Sequence, residues 1–165
     1  MRFNYIFPGT FSPPTCGHVD IVWQAAKIFP EITIICSQNR DKGKAYFSQN
    51  ECKELWRTYN LPQKVEIFTF DELQSMKIDY SKVVMIRGIR DQNDVEYEKG
   101  IMLYNKEKFG ITKFFYIFGR EEYTNISSSA AREHARNLDL QALSKEVSPL
   151  VRLALLEKNS QGNDS

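Results

Sequence analysis

The segment GTFSPPTCGH, residues 9–18, has the residue types and the spacing of an anion-binding loop. It follows a short apolar run and leads into a segment with helical spacing, so Gly17 and His18 lie at a predicted helix N-terminus. Free backbone N–H groups at such a terminus favour an anion, and Thr10 adds a hydroxyl donor. A proline-rich turn with a helix-capping His18 is the alternative, and for a segment of this kind taken alone it is the commoner case.

Two arginines, Arg87 and Arg90, enclose Gly88 and Ile89 directly after a predicted apolar strand. Guanidinium groups match the geometry of phosphate oxygens, and charged groups at the end of a strand require water or an anion as a partner. A structural salt bridge explains the arginines equally well. The candidate carboxylates for that salt bridge are Asp94, Glu96 and Glu98.

Three consecutive serines, Ser127 to Ser129, open another predicted helix in the segment NISSSAARE. An N-cap needs only one hydroxyl group. The repeated hydroxyls, together with the free N–H groups of a helix start, therefore indicate a phosphate cradle. Ser128 and Ser129 are the better candidates because they lie deeper in the first helical turn.

These loops supply positive groups and helix N-termini, but they lack the parts of several other kinds of site. The sequence contains neither GxxxxGK[ST] nor GxGxxG. Cys16 and His18 are too few ligands for a metal site, and side chains two residues apart on a helix do not face each other as a nucleophile pair would. Positive groups without paired carboxylates or a nucleophile fit phosphoryl or nucleotidyl transfer by positioning and charge stabilisation.

Short apolar runs alternate with longer segments of helical spacing along the chain. The predicted strands cover residues 3–7, 31–37, 64–70, 82–88 and 113–119. The predicted helices cover residues 19–29, 48–59, 91–110, 127–137 and 148–159. This alternation predicts an α/β fold with one doubly wound parallel five-stranded sheet and helices on both faces. Ligands bind outside the carboxyl ends of such strands, and the polar clusters all follow strands, so they predict one shared site.

Composition limits the classes of partner and compartment. A chain of 165 residues predicts a single domain, here residues 1–158, followed by a polar tail, residues 159–165, that we expect to be disordered. The formal net charge of +1 gives no electrostatic case for nucleic acid as the main partner. No apolar run is long enough to cross a membrane. Three cysteines without CxxC spacing favour reduced thiols in the cytoplasm.

Three motifs resemble those of a known family. GTFSPPTCGH is similar to the GTFDPxTxGH signature of the nucleotidyltransferases related to class I aminoacyl-tRNA synthetases. RGIRDQNDVEYE and ISSSAARE resemble the RGLRxxxDFEYE and ISSSxxRE motifs of the bacterial phosphopantetheine adenylyltransferase family. The order and spacing of the motifs match that family over nearly the whole chain, and the second motif is the most specific.

The resemblance implies a Rossmann-like enzyme that transfers the adenylyl group of ATP to 4′-phosphopantetheine, giving dephospho-coenzyme A and pyrophosphate in coenzyme A biosynthesis. It implies Mg²⁺ carried by the ATP phosphates and no metal site in the protein. It also implies coenzyme A as a feedback ligand and a homohexamer. The acceptor phosphate is already ionised at neutral pH, so the reaction needs no general base.

The resemblance further assigns roles to individual residues. The catalytic residues would be Thr10, His18, Lys42 and Arg90, of which Thr10 and His18 would stabilise the α-phosphate as charge develops. The ATP contacts would be Thr10, Phe11, His18, Gly88, Ile89, Arg90, Glu98, Tyr123, Thr124, Asn125, Ile126, Ser127, Ser128 and Ser129. The acceptor contacts would be Thr10, Lys42, Leu73, Gln74, Arg87 and Asn105.

The sequence departs from the family pattern at four places. Ser12 stands where the family has Asp, Gln74 replaces an apolar residue of the acceptor site, and the segment 118–125 lacks the usual Pro of the adenine loop. The segment NRDKGKAYF has one residue more than the pattern NPxKxxxF, so the phosphate lysine is either Lys42 or Lys44. Counting from the start of that pattern selects Lys42.

Two other functions remain as alternatives. One is a related nucleotidyltransferase with a different phosphorylated acceptor, such as a nicotinamide-mononucleotide adenylyltransferase or a glycerol-phosphate cytidylyltransferase, and RGIRDQNDVEYE argues against both. The other is an inactive homologue that binds a nucleotide as a regulatory module. The presence of His18, Arg87 and Arg90 argues against that second alternative.

Overall fold

The computed structural model describes residues 3–38 and 45–162. The strands are β1 (Tyr5–Gly9), β2 (Ile32–Cys36), β3 (Val65–Thr69), β4 (Val84–Ile89) and β5 (Lys113–Phe118). The helices are α1 (Cys16–Ala26), α2 (Gln49–Trp56), α3 (Phe70–Gln74), α4 (Gln92–Phe109), α5 (Ser128–Arg136), α6 (Leu140–Glu146) and α7 (Pro149–Gly162). In the described ranges, no helix has the length and apolar character needed to span a membrane.

The five strands form one parallel sheet in the order β3-β2-β1-β4-β5. This order is that of a doubly wound fold, so the predicted sheet is confirmed. The strands end level with one another, because Gly9 pairs with Cys36, Cys36 pairs with Thr69, and Ile89 pairs with Phe118. The segments that follow the strands therefore meet at the carboxyl edge of the sheet.

Alternate residues along the strands pack into two hydrophobic layers. On one face, Phe7, Ile34 and Ile86 lie in a large cluster with residues of α1, α2, α5, α6 and α7. On the other face, Ile6 and Met85 lie in a smaller cluster that includes Leu73 of α3. Helices cover both faces, as predicted, and the helix that carries His18 lies on the face with the larger cluster.

Strand β1 continues past Pro8 to Gly9, whereas the apolar pattern placed its end at Phe7. A proline in a central strand normally removes a ladder hydrogen bond. Here β1 pairs with β4 at Tyr5 and Ile6, and Pro8 lies beyond these two pairs. The carbonyl oxygen of Pro8 instead accepts a hydrogen bond from Arg87 Nη1 at 2.6 Å, so a side chain replaces the ladder at this position.

Local capping signals place several helix ends correctly. The Ser48 side chain accepts a hydrogen bond from the Glu51 N–H and the Glu51 carboxylate accepts one from the Ser48 N–H, which confirms the predicted capping box. Two short helices, α3 and α6, are absent from the sequence-based prediction. Helix α7 continues to Gly162, so residues 159–162 of the expected polar tail are helical, and residues 163–165 lie outside the described residues.

Candidate active site at the carboxyl edge of the sheet

The loop after β1 brings a buried aromatic ring against His18. A Cβ atom on Gly9 would lie 2.7 Å from Phe11 Cζ, so glycine is required there for the ring to fold back over the strand end. The Phe11 ring is buried and meets the imidazole of His18 edge to face, with 5.0 Å between the ring centroids. Thr10 is exposed at the strand end. The packing of Phe11 therefore fixes the plane of the His18 ring. The contact of Phe11 with ATP stays a prediction.

The His18 side chain is oriented by the helix that carries it. The N–H of Thr15, the N-cap of α1, donates to His18 Nδ1 at 3.0 Å, and the His18 N–H donates to Thr15 Oγ1 at 3.4 Å. A backbone N–H can only donate, so Nδ1 is the unprotonated nitrogen and Nε2 carries the proton. Burial, followed by the charges of Arg90 and Arg87, lowers the pKa of His18 to about 4. The imidazole is therefore a neutral hydrogen-bond donor at neutral pH.

Arg87, in β4, forms a structural ion pair, which is one of the two roles that the sequence allowed for it. Its Nε and Nη2 donate to the two carboxylate oxygens of Glu98, both at 2.8 Å, and its Nη1 donates to the Pro8 carbonyl oxygen. Glu98 is buried, with 5% of its surface exposed. A guanidinium group has five N–H donors, and these three bonds leave two of them for another acceptor. The ion pair therefore orients Arg87 without using all its donors.

Arg90 joins the end of β4 to the loop after β5. Its Nε and Nη2 donate to the two oxygens of Asp94 at 3.0 and 3.1 Å, and its Nη1 lies 3.5 Å from the carbonyl oxygen of Ile126. The side chain remains 42% exposed. The salt bridge raises the pKa of Arg90 and lowers the pKa of Asp94, so both groups are charged and Arg90 stays beside Ile126.

The three serines at the start of α5 have different partners. Ser127 is the N-cap, and its side chain accepts a hydrogen bond from the Ala130 N–H at 3.0 Å. Ser128 Oγ donates to the Pro13 carbonyl oxygen at 2.7 Å, and Ser129 Oγ accepts from Arg132 Nη2 at 3.1 Å. The structure thus places the serines beside the first loop, and their role as a phosphate cradle stays a prediction.

Three of the predicted acceptor contacts, Leu73, Gln74 and Asn105, lie on α3 and α4. Leu73 is buried in the smaller cluster, Gln74 is exposed at the end of α3, and Asn105 Nδ2 donates to the Ile101 carbonyl oxygen at 2.8 Å. Helix α3 begins directly after β3, so it lies at the same edge as the loops above. Lys42 and Lys44 lie outside the described residues.

Two further residues shape this edge: Asp20, which no sequence motif indicated, and Ser12, which the sequence marked only as a departure from the family pattern. Asp20, two residues after His18, is buried and forms a salt bridge with Arg120, in the loop after β5, at 2.6 Å. Ser12, which replaces the usual Asp, is also buried, and its Oγ accepts a hydrogen bond from the Phe47 N–H at 3.0 Å. The one sequence signal for Asp20 is that a carboxylate stands on the otherwise apolar buried face of α1.

The two arginines at this edge are both held in ion pairs with carboxylates. Across residues 3–38 and 45–162, no group of three or more His, Cys, Asp or Glu side chains is placed to hold a metal ion. Both carboxylates nearest to the arginines, Asp94 and Glu98, serve as ion-pair partners. A neutral donor, two oriented guanidinium groups and a helix N-terminus can stabilise charge that develops on a phosphate.

Comparisons with known proteins agree with this geometry. Residues 6–134 match the family model described as cytidylyltransferase-like. The phosphopantetheine adenylyltransferase of Leptospira biflexa is 31% identical over 164 residues, which cover 97% of this chain and 99% of that protein. The enzyme of the same name from Buchnera aphidicola is 37% identical over 139 residues, covering 82% of this chain and 84% of that protein.

A solved structure supports the fold independently. The nicotinic acid mononucleotide adenylyltransferase of Plasmodium falciparum, in a complex with APC, superposes with a TM-score of 0.60. The superposition covers 94% of each chain at 14% sequence identity. At that identity the likeness extends to the fold, which is that of a nucleotidyltransferase.

Proposed function

The chain belongs to the cytidylyltransferase-like family and, within it, to the phosphopantetheine adenylyltransferases, and from that premise we propose how its site works. The enzyme transfers the adenylyl group of ATP to 4′-phosphopantetheine, which gives dephospho-coenzyme A and pyrophosphate in coenzyme A biosynthesis. The observation that carries our mechanism is the state of His18, a neutral imidazole at the start of α1 whose proton is on Nε2.

The chemical step is an in-line exchange at the α-phosphorus of ATP. An oxygen of the acceptor phosphate forms a bond to that phosphorus, the bond from the phosphorus to the bridging oxygen of the β-phosphate breaks, and pyrophosphate leaves. A phosphate monoester has a second pKa of about 6 and is already a good nucleophile at neutral pH. No base is therefore needed, and His18 Nε2–H donates to a nonbridging oxygen of the α-phosphate as its charge grows.

The cationic residues divide between the two substrates. The two remaining N–H donors of Arg87 bind the phosphate of the acceptor, with Glu98 fixing the direction of the guanidinium group. Arg90, next to the Ile126 carbonyl, binds ATP together with the loop Tyr123 to Ser129. Lys42 bridges phosphates of both substrates, and Leu73, Gln74 and Asn105 contact the acceptor arm.

Magnesium enters this mechanism as part of the substrate, MgATP. Mg²⁺ prefers oxygen ligands and usually keeps several waters when it is bound through phosphates. The carboxylates near the site, Asp94 and Glu98, already neutralise Arg90 and Arg87. The donor set of the protein therefore suits a nucleotide that brings its own cation better than a resident metal ion.

Release of pyrophosphate tests the function directly. We expect the purified protein to release pyrophosphate from MgATP only when 4′-phosphopantetheine is added. Nicotinamide mononucleotide with ATP, and glycerol phosphate with CTP, are the control acceptor pairs. A higher kcat/KM with either control pair would assign the chain to a different nucleotidyltransferase activity.

We extend the proposal to the assembly, regulation and location of the enzyme. A homohexamer is supported by large apolar side chains that are exposed on α4 and β5, with Leu103 62% and Phe118 67% exposed, and light scattering on the full chain tests it.

Coenzyme A carries the same phosphopantetheine arm as the acceptor, so it should inhibit competitively against 4′-phosphopantetheine. The buried free thiols of Cys36 and Cys52 suit the reducing cytoplasm.

A further inference from the structure

A buried carboxylate on α1 fixes the loop that follows β5. Asp20 is 3% exposed, and its two oxygens accept three hydrogen bonds. Oδ1 accepts from Arg120 Nε at 2.6 Å, and Oδ2 accepts from the backbone N–H of Arg120 at 3.1 Å and from Gln24 Nε2 at 2.9 Å. A buried charge needs partners of this kind, so both the main chain and the side chain of Arg120 are held in place.

The helix adds a second attachment one turn further along. Gln24 Nε2, besides its bond to Asp20, donates to the Phe118 carbonyl oxygen at 3.2 Å. Residues i and i+4 of a helix lie on the same side, so Asp20 and Gln24 together form hydrogen bonds with the chain where β5 ends. The loop thus leaves the sheet in a direction set by α1, the helix that begins beside His18.

The fixed arginine in turn supports the next part of the loop. The guanidinium carbon of Arg120 lies 5.3 Å from the centre of the Tyr123 ring, a cation–π arrangement. The N–H of Tyr123 donates to the Arg120 carbonyl oxygen at 2.9 Å, and the N–H of Ile126 donates to the Tyr123 carbonyl oxygen at 3.0 Å. A chain of contacts therefore runs from Asp20 through Arg120 and Tyr123 to Ile126.

The end of that chain meets the other parts of the site. The Ile126 carbonyl oxygen faces Arg90, and Ser127, the next residue, is the N-cap of α5. A Cβ atom on Gly17 would lie 3.8 Å from the Ile126 oxygen and 3.8 Å from Tyr123 Cβ. The loop consequently packs against the N-terminus of α1, one residue before His18.

We propose that Asp20 is a positioning residue for nucleotide binding, and that the Asp20–Arg120–Tyr123 stack sets the conformation of the loop that receives the base of ATP. This inference rests on the proposed function in one respect, namely that the loop from Tyr123 to Ser129 contacts ATP. In this stack an ion pair and an aromatic ring hold the loop conformation, a task that a conformationally restricted residue such as proline could also perform.

The test compares ATP binding and turnover in two variants, Asp20→Asn and Arg120→Gln. Asp20→Asn keeps the shape of the side chain but loses its charge, and Arg120→Gln removes the cation by changing a side chain that is itself 59% exposed. We expect each variant to raise the Kd for ATP, and the KM for ATP, about 10-fold. The value of kcat and the KM for 4′-phosphopantetheine should each change by less than about 2-fold.

Glu122→Gln is the matched control, because Glu122 also contacts the Arg120 guanidinium group, at 3.6 Å, but is itself 61% exposed. This control should leave the Kd for ATP unchanged. The double variant Asp20→Asn with Arg120→Gln should bind ATP about as weakly as either single variant, because both changes break the same contact.

Three results would overturn the inference. One is an unchanged Kd for ATP in the Arg120→Gln variant, whose fold is verified by thermal unfolding. Another is an equal loss in kcat and in the KM values of both substrates, since that pattern indicates general damage to the site. The last is strictly additive losses in the double variant. Failure of the proposed function shows separately, as wild-type protein that binds ATP but releases no pyrophosphate with 4′-phosphopantetheine.

Discussion

The most specific consequence of the structure is that His18 works as a neutral hydrogen-bond donor over the whole physiological pH range. With a pKa of about 4, about one His18 side chain in a thousand is protonated at pH 7, and about 3% at pH 5.5. A histidine with an ordinary pKa would be about 90% protonated at pH 5.5. The two cases therefore differ most between pH 5 and pH 6.

Nitrogen NMR of histidine-labelled protein measures the protonation of each imidazole ring. The chain contains two histidines, so two sets of ring signals are followed with pH. His18 should keep the shifts of the Nε2–H tautomer from pH 8 down to about pH 5. His134 should titrate above its usual range, because a hydrogen bond to Glu146 raises its pKa. The His134→Gln variant assigns the two signals. A His18 signal that titrates near pH 6.5 would refute the assignment of the neutral donor.

The lowered pKa of His18 also makes the free energy of unfolding depend on pH. Because the pKa of His18 is lower in the folded protein, the unfolded chain binds the extra proton between pH 6.5 and about pH 4. Stability should fall as the pH falls through that window, and the slope of unfolding free energy against pH should be shallower in His18→Ala. Loss of the side chain as the acceptor of the Thr15 N–H costs about 1 kcal/mol, the value of a helix cap.

Turnover gives the functional counterpart of the NMR experiment. His18→Ala should fold and should lower kcat on the order of 100-fold, the loss found when one transition-state donor is removed. His18→Gln is the matched variant, since its amide N–H can replace Nε2–H in part, and it should retain more activity than the alanine variant. A kcat near the wild-type value in His18→Ala would refute the role of the donor.

Three further predictions concern the phosphate and acceptor contacts. Arg87→Ala should raise the KM for 4′-phosphopantetheine more than the KM for ATP, whereas a larger effect on ATP would reverse the roles of the two arginines. Gln74→Leu should retain activity, because Gln74 is exposed in the structure, and complete loss would show a specific contact through its amide. Lys42→Ala should lower kcat/KM about 10- to 100-fold, in line with the loss of a charged hydrogen bond. Lys44→Ala should cost less than about 0.5 kcal/mol, and the opposite ranking of the two lysine variants at fixed salt would show that the lysine register is wrong.

The elements that could be predicted are those specified by short-range patterns. Each of the five strands has five or six residues in the structure, most of them apolar, and the capping box at Ser48 and Glu51 is contained within four residues. Helices α3 and α6 are different. They have five and seven residues, too few to form without tertiary support. That support comes from residues distant in sequence, such as Ile6 and Ile35 in the cluster that contains Leu73.

The arginines show where sequence reasoning reaches its limit within one site. Three carboxylates were equivalent candidates as salt-bridge partners on spacing alone. The structure separates them because α4 begins just after β4: Asp94, in its first turn, reaches Arg90, while Glu98, one turn later and buried, reaches back to Arg87. The choice depends on the angle between the strand and the helix, and no residue pattern encodes that angle.

Asp20 and Arg120 show the same limit over a longer distance. They are 100 residues apart in the chain, and no spacing pattern in the sequence links one to the other. What the sequence does show is an unusual residue at each end, a carboxylate on the apolar face of α1 and an arginine in a loop that lacks the Pro of the family pattern. Because an unpaired buried carboxylate is costly, the first residue requires a distant cation. The missing Pro identifies where a loop needs another means of support. When a sequence contains both a carboxylate on an apolar helix face and an arginine in a loop without its expected Pro, a contact between the two residues is therefore worth testing.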